Sequence, residues 1–564
     1  MTPAGHNLFR WSACLVASVV SGLSIAAGFA PWEHVAAPWA GFVPLLLIAL
    51  LRSPREAFGW GMLSGAITWL IGLFWLTALH QTAGLPLAVI GLGWVALSLY
   101  CALYTGLFAW AVSHWLAWTG SDRLARNVAS VLVIPVFWVG LEYARSALFT
   151  GFPWNPLGAS QAQNPAISQA AEWGGVYLVS GLLMVVNTAV AFTAARYLDW
   201  RHIGKYRPHV ELFVGLSVMA ACTVSGRSRF QQYGTMGGNV LVGVVQPAVP
   251  QNVKWDADYA TEVQDRLTKL TFEAAGTAQV LMNKRPDLVI WPETSTTGDL
   301  TVDGEYRSMI SGLASDCGPL LLGALYEAGD IMANSSFLIA TNGSEMARYD
   351  KQHLVPFGEF LPLDKQFPVL QKMSPLGISL TPGREATVFA LPGTDVRFSV
   401  TICFEDIFPG LSREFVKRGS RLLINQSNDA WFDGTAQHRQ HLNLSIMRCI
   451  ENRVPGVRVS NSGASGFIEP NGRVYHTGLA VSDKGWLGVS GPLADRKPLS
   501  DVSLVEPPPP GMALTCYTRF GDWVLAIPCA GIVAVWMGIA WWRARRPSVS
   551  GRSVGIDSIE GDRT

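Results

Sequence analysis

The chain is short of charge. Only 15% of its 564 residues are Asp, Glu, Lys or Arg, against 49% hydrophobic, a balance too apolar for a water-soluble protein of this length, so part of it must sit in lipid. Nor is there an excess of either sign: 42 basic and 41 acidic residues leave a net charge of +1. Without a basic stripe or patch, nucleic acid is excluded as an expected partner. No CxxC pair and no Cys/His cluster at metal-ligand spacing occurs among the eight cysteines and ten histidines, so no metal or other cofactor is implied. Cys14, Cys101, Cys222 and Cys529 fall inside hydrophobic runs and read as small apolar residues rather than as half of a disulfide framework.

What is abundant is long apolar sequence. A helix crossing the hydrocarbon needs about 20 such residues, and candidate runs lie near 11–30, 37–51, 58–79, 86–113, 127–146, 174–195, 209–225 and 520–542, the second and seventh being the shortest. Lysine and arginine are missing from the connections 31–36, 80–85 and 147–173. They gather in the alternate ones: Arg10, then Arg52 and Arg55, Arg123 and Arg126, Arg201 with Lys205 and Arg207, and Arg543, Arg545 and Arg546. The positive-inside rule then puts both termini in the cytoplasm of a bacterial inner membrane and the polar block after the seventh span in the periplasm. That alternation needs an N-terminus that stays inside, so the first span is not read as a cleaved signal peptide. The expected organisation is a membrane domain over 1–227 with about seven transmembrane helices, a catalytic domain over 228–518, a last transmembrane helix over 519–546 and a disordered cytoplasmic tail over 547–564.

One uncharged connection is unusual. Its run Thr150-Gly151-Phe152-Pro153-Trp154-Asn155-Pro156 is too stiff and aromatic for a solvated tether, and reads either as an interfacial anchor or as the edge of a lipid entrance formed by Gly151, Trp154 and Arg145. Glu142 and Arg145 stand three apart on one helical face near the end of the fifth span, where charges pair with each other or hold a headgroup.

Within the polar block, short apolar runs at 239–246, 287–292, 319–325, 396–403 and 421–426 alternate with helix-period stretches at 257–283, 305–316, 409–418 and 436–452. That pattern predicts an α/β layered fold, here a two-sheet sandwich flanked by helices. Asn-Gly turns at Asn342-Gly343 and Asn471-Gly472 predict hairpins, hence mixed sheets. The stretches 298–304 and 372–385 are candidate mobile loops.

Three of the predicted strands end on chemistry: Glu293 follows one, Cys403 closes another, and Lys351 lies in YDKQHLVPFGE. Singly, each has an ordinary reading, as a surface carboxylate, an inert core thiol and a solvated lysine. Together they make a base, a nucleophile and a cation delivered to one sheet edge. A carboxylate can take the thiol proton as sulfur attacks a carbonyl, and an ammonium beside it can hold the oxyanion together with the backbone N–H of Phe404.

These residues resemble the Glu-Lys-Cys trio of the nitrilase superfamily of carbon–nitrogen hydrolases, in the motifs WPET, YDKQHLVPFGEF and ICFED. With the flanking spans, the GFPW loop and the NDAWF run of Asn428–Phe432, the chain over about 10–545 resembles the apolipoprotein N-acyltransferase family. The resemblance implies an αββα catalytic domain and a ping-pong reaction. Cys403 takes the sn-1 acyl chain of phosphatidylethanolamine as a thioester, then yields it to the amine of the diacylglyceryl-cysteine that starts an apolipoprotein. It further implies Glu293 as base, Lys351 as oxyanion cation, Glu359 and Glu405 as positioning carboxylates, Trp255 and Trp431 near the site, and a monomer in the bilayer. Phe404 departs from the tyrosine many members carry there, which removes any part for a phenol hydroxyl. The competing expectation is a membrane-anchored nitrilase-type amidase acting on small amides, for which one anchor would suffice.

Overall fold

The computed structural model describes residues 3–119, 123–198, 209–234, 239–296, 304–361, 379–475 and 499–545. Arg201, Lys205, Arg207 and Arg546, the tail 547–564, and residues 298–303 and 372–378 of the two stretches 298–304 and 372–385 lie outside the described residues. Apolar sequence sets the first part as helices α1 (Pro3–Ala27), α2 (Val43–Leu51), α3 (Pro54–Gly72), α4 (Leu79–Thr82), α5 (Leu87–Trp118), α6 (Arg123–Ala147), α7 (Ala171–Leu198) and α8 (Val210–Gln232). Ser53 and Glu56 start α3 with reciprocal side-chain to backbone bonds. Six helices of the described chain, the last near the C-terminus, are long and apolar enough to cross a membrane, or seven if α3 and the following bent segment Phe74–Thr82 count as one span.

Two expectations about the spans are corrected. The second is only the nine-residue α2 behind a single 3-10 turn, because Pro38, Gly41 and Pro44 interrupt the run before it can form a continuous helix. The seventh is not short: α8 runs 23 residues and carries through the expected boundary at 227 to Gln232. Its last turn is held by Arg229, which pairs with Glu172 at 3.1 Å. α7 breaks at Gly174 and Gly175; a Cβ on Gly175, whose φ is +70°, would lie 2.7 Å from the Tyr517 ring, so only glycine serves.

The polar block is a sandwich of two six-stranded sheets. Its strands are β1 (Val240–Gln246), β2 (Leu288–Ile290), β3 (Leu320–Ala328), β4 (Ile331–Ile339), β5 (Glu345–Asp350), β6 (Val388–Ala390), β7 (Arg397–Ile402), β8 (Leu423–Ser427), β9 (Gly456–Ser460), β10 (Gly466–Ile468), β11 (Val474–Tyr475) and β12 (Leu499–Val505). The orders are β12-β1-β2-β3-β4-β5 and β11-β10-β9-β8-β7-β6. In each, a parallel core of three strands is flanked by antiparallel edges. The parallel strands of the first sheet, β1, β2 and the start of β3, are almost wholly apolar because both their faces are covered, whereas β8 and β9 carry Asn425, Gln426 and Arg458 among their apolar residues. Val242, Val244 and Ile290 of one sheet meet Val400, Ile424 and Val457 of the other.

Helices α9 (Ala260–Met282) and α10 (Gly304–Cys317) cover the first sheet, and α11 (Pro409–Lys417) and α12 (Gln437–Asn452) cover the second. The chain then returns to lipid through α13 (Cys516–Phe520) and α14 (Ala526–Arg545).

α12 is buried on nearly every side because it lies between the second sheet and the membrane helices. Its Leu444, Met447 and Ile450 share a core with Trp154, Leu157 and Val176. All three connections that lack Lys and Arg touch this block: Glu33 pairs with Arg439 and accepts from Asn443, Thr82 donates to the Trp431 carbonyl, and Gln163 and Gln169 bond Asn443 and Asn471. Gln440 is the centre of the junction. It accepts from the indoles of Trp75 (3.1 Å) and Trp154 (2.7 Å) and donates to the carbonyls of Ala30 (2.9 Å) and Gly72 (3.2 Å).

Replacing Gln440 with Ala strands these four partners, and a buried unsatisfied polar group costs about 1–3 kcal/mol. A lowered melting temperature of the detergent-solubilised protein is expected. An unchanged one would mean that apolar packing alone joins the two parts.

Candidate active site

Strand ends deliver all three singled-out residues. Glu293 follows β2, where Pro292 offers no ladder hydrogen and Thr294 turns the chain at a φ of +43°. Gly323 on β3 lets that turn approach: a Cβ there would meet the Pro292 oxygen and the Thr294 nitrogen at 2.6 Å. Lys351 comes directly after β5, its N–H on the Asn334 carbonyl at 2.8 Å. Cys403 comes directly after β7, with a φ of +53° that swings its side chain out of the strand direction.

Glu293 and Lys351 meet in a closed arrangement with Glu359. The Lys351 ammonium donates to Glu359 at 2.8 Å and to Glu293 at 3.2 Å, and the Asn334 amide donates to the same two oxygens at 3.0 and 2.7 Å. The second Glu359 oxygen accepts from the Val355 N–H at 2.8 Å. Lys351 is only 1% exposed. Burial works against its charge, yet Glu293 and Glu359 outweigh that and hold its pKa above the ordinary lysine value.

Cys403 is half-buried, with its sulfur in the fields of Glu293 and Lys351. Burial and then the Glu293 charge push the thiol well above its usual pKa, while Lys351 pulls it down. The resting sulfur is therefore a thiol, and its proton must leave as it attacks.

Glu405 ties the cysteine segment to the lysine segment. Fully buried, it accepts from the N–H groups of Ile402 (2.8 Å), Gln352 (2.6 Å) and His353 (3.0 Å) and from the Tyr349 hydroxyl. Beneath Cys403, Arg458 bonds Asp429 (2.6 Å), Asp406 (3.2 Å) and Asn425 (2.6 Å), and Asn425 donates to the Cys403 carbonyl at 3.1 Å. His441 lies 2.6 Å from Asp406.

Other expected residues are spread out. Phe404 packs edge-on to Phe408, with ring centroids 5.4 Å apart, and His353 stacks on Phe408 at 4.4 Å. Gly151, at a φ of +78°, brings its loop against the Phe408 ring. Trp431 is half-buried at the junction, and Trp255 is 46% exposed above the Lys254 ammonium. Trp154 is neither an interfacial anchor nor the rim of an opening: it is 2% exposed, because its indole N–H is used inside the junction by Gln440. Arg145 is equally buried and donates to the carbonyls of Phe152 and Trp154, while Glu142 accepts from the Leu157 N–H. Their hydrogen bonds hold the loop backbone.

Asn334, Lys254 and Arg458 were not legible as site residues. Asn334 is a polar residue inside an apolar strand, which is a usable signal; Lys254 and Arg458 carry none.

Burial pushes the Glu405 carboxyl up to about 7, against the backbone donors that favour its charge. An unfolded glutamate titrates near ~4.3, so between these values the native state keeps a proton that the unfolded chain has lost. Stability from this group then falls as pH rises from about 4.5 to about 7. Glu405→Gln should flatten that part of a melting-temperature profile; a slope identical to the parent's would sink the assignment.

The comparisons agree in both parts of the chain. Residues 21–189 match the family model for the apolipoprotein N-acyltransferase N-terminal domain, and residues 241–480 match that for carbon-nitrogen hydrolase. An apolipoprotein N-acyltransferase of Geobacter metallireducens is 33% identical, over 93% of this chain and 95% of the relative. One of Chromobacterium violaceum is 29% identical, over 96% and 97%. Among solved structures, a cysteine-to-serine variant of the Nesterenkonia AN1 amidase from the nitrilase superfamily covers 51% of this chain and 96% of its own, at 16% identity and a TM-score of 0.35. A cysteine–lysine–carboxylate pocket in a two-sheet sandwich, set on a matching membrane domain and related along nearly its whole length, means that the chain belongs to the apolipoprotein N-acyltransferase family.

Proposed function

We propose that the protein moves an acyl chain from the sn-1 position of phosphatidylethanolamine to the N-terminal amine of the diacylglyceryl-cysteine of an apolipoprotein, the last step of lipoprotein maturation. The observation that carries this reading is the pairing of Glu293 with the Lys351 ammonium beside the Cys403 thiol, in a block seated on the membrane helices.

In the first half-reaction Glu293 accepts the thiol proton while sulfur adds to the ester carbonyl. The oxyanion of the tetrahedral species faces the Lys351 ammonium. Collapse breaks the ester C–O bond, and the proton on Glu293 passes to the departing lysophospholipid. In the second, the acceptor amine adds to the thioester and gives its extra proton to Glu293; the C–S bond breaks and the sulfur is reprotonated from that carboxyl. Glu359 and Asn334 hold the Lys351 ammonium and the Glu293 carboxylate through both steps. Glu405 keeps the two backbone segments in register, and Trp255, Trp431 and Phe404 border the acyl and acceptor paths.

The loop carrying Gly151 reaches Phe408, which packs on Phe404 next to the nucleophile, and this supports entry of the donor from the bilayer on that side. The three connections free of Lys and Arg lie against the catalytic block while Arg10, Arg52 and Arg55 flank the other helix ends. This supports a periplasmic catalytic domain over an inner membrane with both termini in the cytoplasm, and one chain suffices to build the site.

Cys403→Ser, Glu293→Gln and Lys351→Met should each lower acylation of a diacylated lipopeptide in detergent by about 10²-fold or more. With phosphatidylethanolamine alone, intact mass should show an acyl group that stays on Cys403 until the acceptor is added. Steady release of free fatty acid without acceptor would instead support the hydrolytic, amidase-type reading.

A further inference from the structure

Lys254 is a buried cation beside the trio and outside it. It lies between β1 and α9, 4% exposed, and its ammonium donates to the Glu293 carbonyl at 3.0 Å and to the Thr294 hydroxyl at 2.8 Å. A buried ammonium ordinarily faces a carboxylate, since desolvating an unmatched charge is costly; both of these acceptors are uncharged. The charge acts instead on the Glu293 carboxylate and the Cys403 sulfur, and burial holds the Lys254 pKa down near 8.

What the ammonium grips is a turn that needs holding. Thr294 is β-branched and sits at a φ of +43°, a conformation that costs on the order of 1–3 kcal/mol. On its far side the turn rests on Gly323, whose carbonyl accepts from the Ser295 N–H at 2.8 Å. Gly323 supplies space and a carbonyl that also accepts from the Ser295 hydroxyl (3.2 Å) and the Thr296 N–H (3.4 Å), holding the residues after the turn; Lys254 grips the turn itself, at the Glu293 carbonyl and the Thr294 hydroxyl.

We infer that Lys254 is a positioning residue, which fixes the strained turn through the Glu293 carbonyl and the Thr294 hydroxyl and so aims the Glu293 carboxylate at the Cys403 thiol. This rests on Glu293 acting as base for Cys403, and not on the identity of the acyl donor. Loosening the clamp leaves the carboxylate in place chemically but misaims it, and small misplacements of a base cost large factors in rate.

The test uses the full chain in detergent and two electrophiles. Iodoacetamide alkylates the sulfur with loss of iodide and of the thiol proton; phosphatidylethanolamine forms the thioester. Lys254→Met should slow alkylation of Cys403 by about tenfold or more at neutral pH while the folded fraction, followed by melting, stays intact. Lys254→Arg should restore part of the rate, because a guanidinium can reach both acceptors. In the Glu293→Gln background, Lys254→Met should add little further loss, since it acts through that carboxylate.

Wild-type alkylation by folded Lys254→Met protein, or full additivity with Glu293→Gln, overturns the inference. If Lys254→Met does not fold, Thr294→Val decides: slowed alkylation supports the clamp and an unchanged rate rejects it. Should the parent protein form no thioester with the phospholipid while the alkylation ratio persists, the donor assignment fails and the role of Lys254 stands.

Discussion

The site depends on one buried ammonium. Lys351 is closed off from water, and an isolated charge there would be expelled or neutralised. Glu293 and Glu359 prevent that, and Asn334 adds a neutral donor to the same two oxygens. Lys254 adds a second buried ammonium in the field of Glu293, so two carboxylates and two cations share a dry place. Burial and the Glu293 charge together favour the protonated form of the Cys403 thiol. Asn334, Lys351, Glu293 and Glu359 come from β4, the β5 end, the β2 end and the loop after β5, so one ion cluster locks three connections of the first sheet into a common geometry.

The nucleophile, however, stands on the second sheet. Glu405 bridges the gap: its carboxyl collects N–H groups from both the Cys403 and the Lys351 segments. Behind it, Arg458 joins Asp406 and Asp429, and His441 of α12 completes the layer. The next residues along α12 are the ones that reach the membrane helices, through Gln440 on Trp75 and Trp154. Two buried hydrogen-bond groups, one on the lipid-side loop and one on the floor beneath the sulfur, are thus joined by the α12 backbone between Gln440 and His441. Each member is expensive to leave unpaired, which gives a soluble-type sandwich a fixed seat on a membrane scaffold.

The parts readable beforehand were those governed by local rules. Period and length gave the helices of the sandwich; Asn342-Gly343 and Asn471-Gly472 gave the β4–β5 and β10–β11 hairpins; and β1, β2 and β3 appeared because burial on both faces makes their runs apolar. The edge strand β12 did not show itself: it pairs with β1 from more than 200 residues away, so no local turn announces it. The membrane part misled where apolar composition stands for two different environments. Trp154 and α2 read as lipid-facing, but Trp154 is buried in a protein interior and α2 is too short to span. Arg145 and Glu142 looked like partners at three-residue spacing, yet their hydrogen bonds go to loop backbone. Lys254 and Arg458 were silent because a buried cation and a solvated one look alike in sequence; only the acceptors around them tell the difference.

The same burial explains why this site suits transfer better than hydrolysis. A resident thiolate would be held ready for any electrophile; here burial and the Glu293 charge favour the protonated thiol, so attack requires the proton to leave in the same step. In the proposed reaction the proton taken up by Glu293 departs with the leaving alcohol as the thioester forms, which leaves Glu293 an unprotonated base beside the thioester. A water molecule is a poor nucleophile that needs full deprotonation, whereas an amine attacks first and sheds its proton afterwards, so a carboxylate base serves the amine far better than it serves water. The chemistry of the acceptor, and not a seal against solvent alone, is what lets a nitrilase-type pocket act as an acyl carrier.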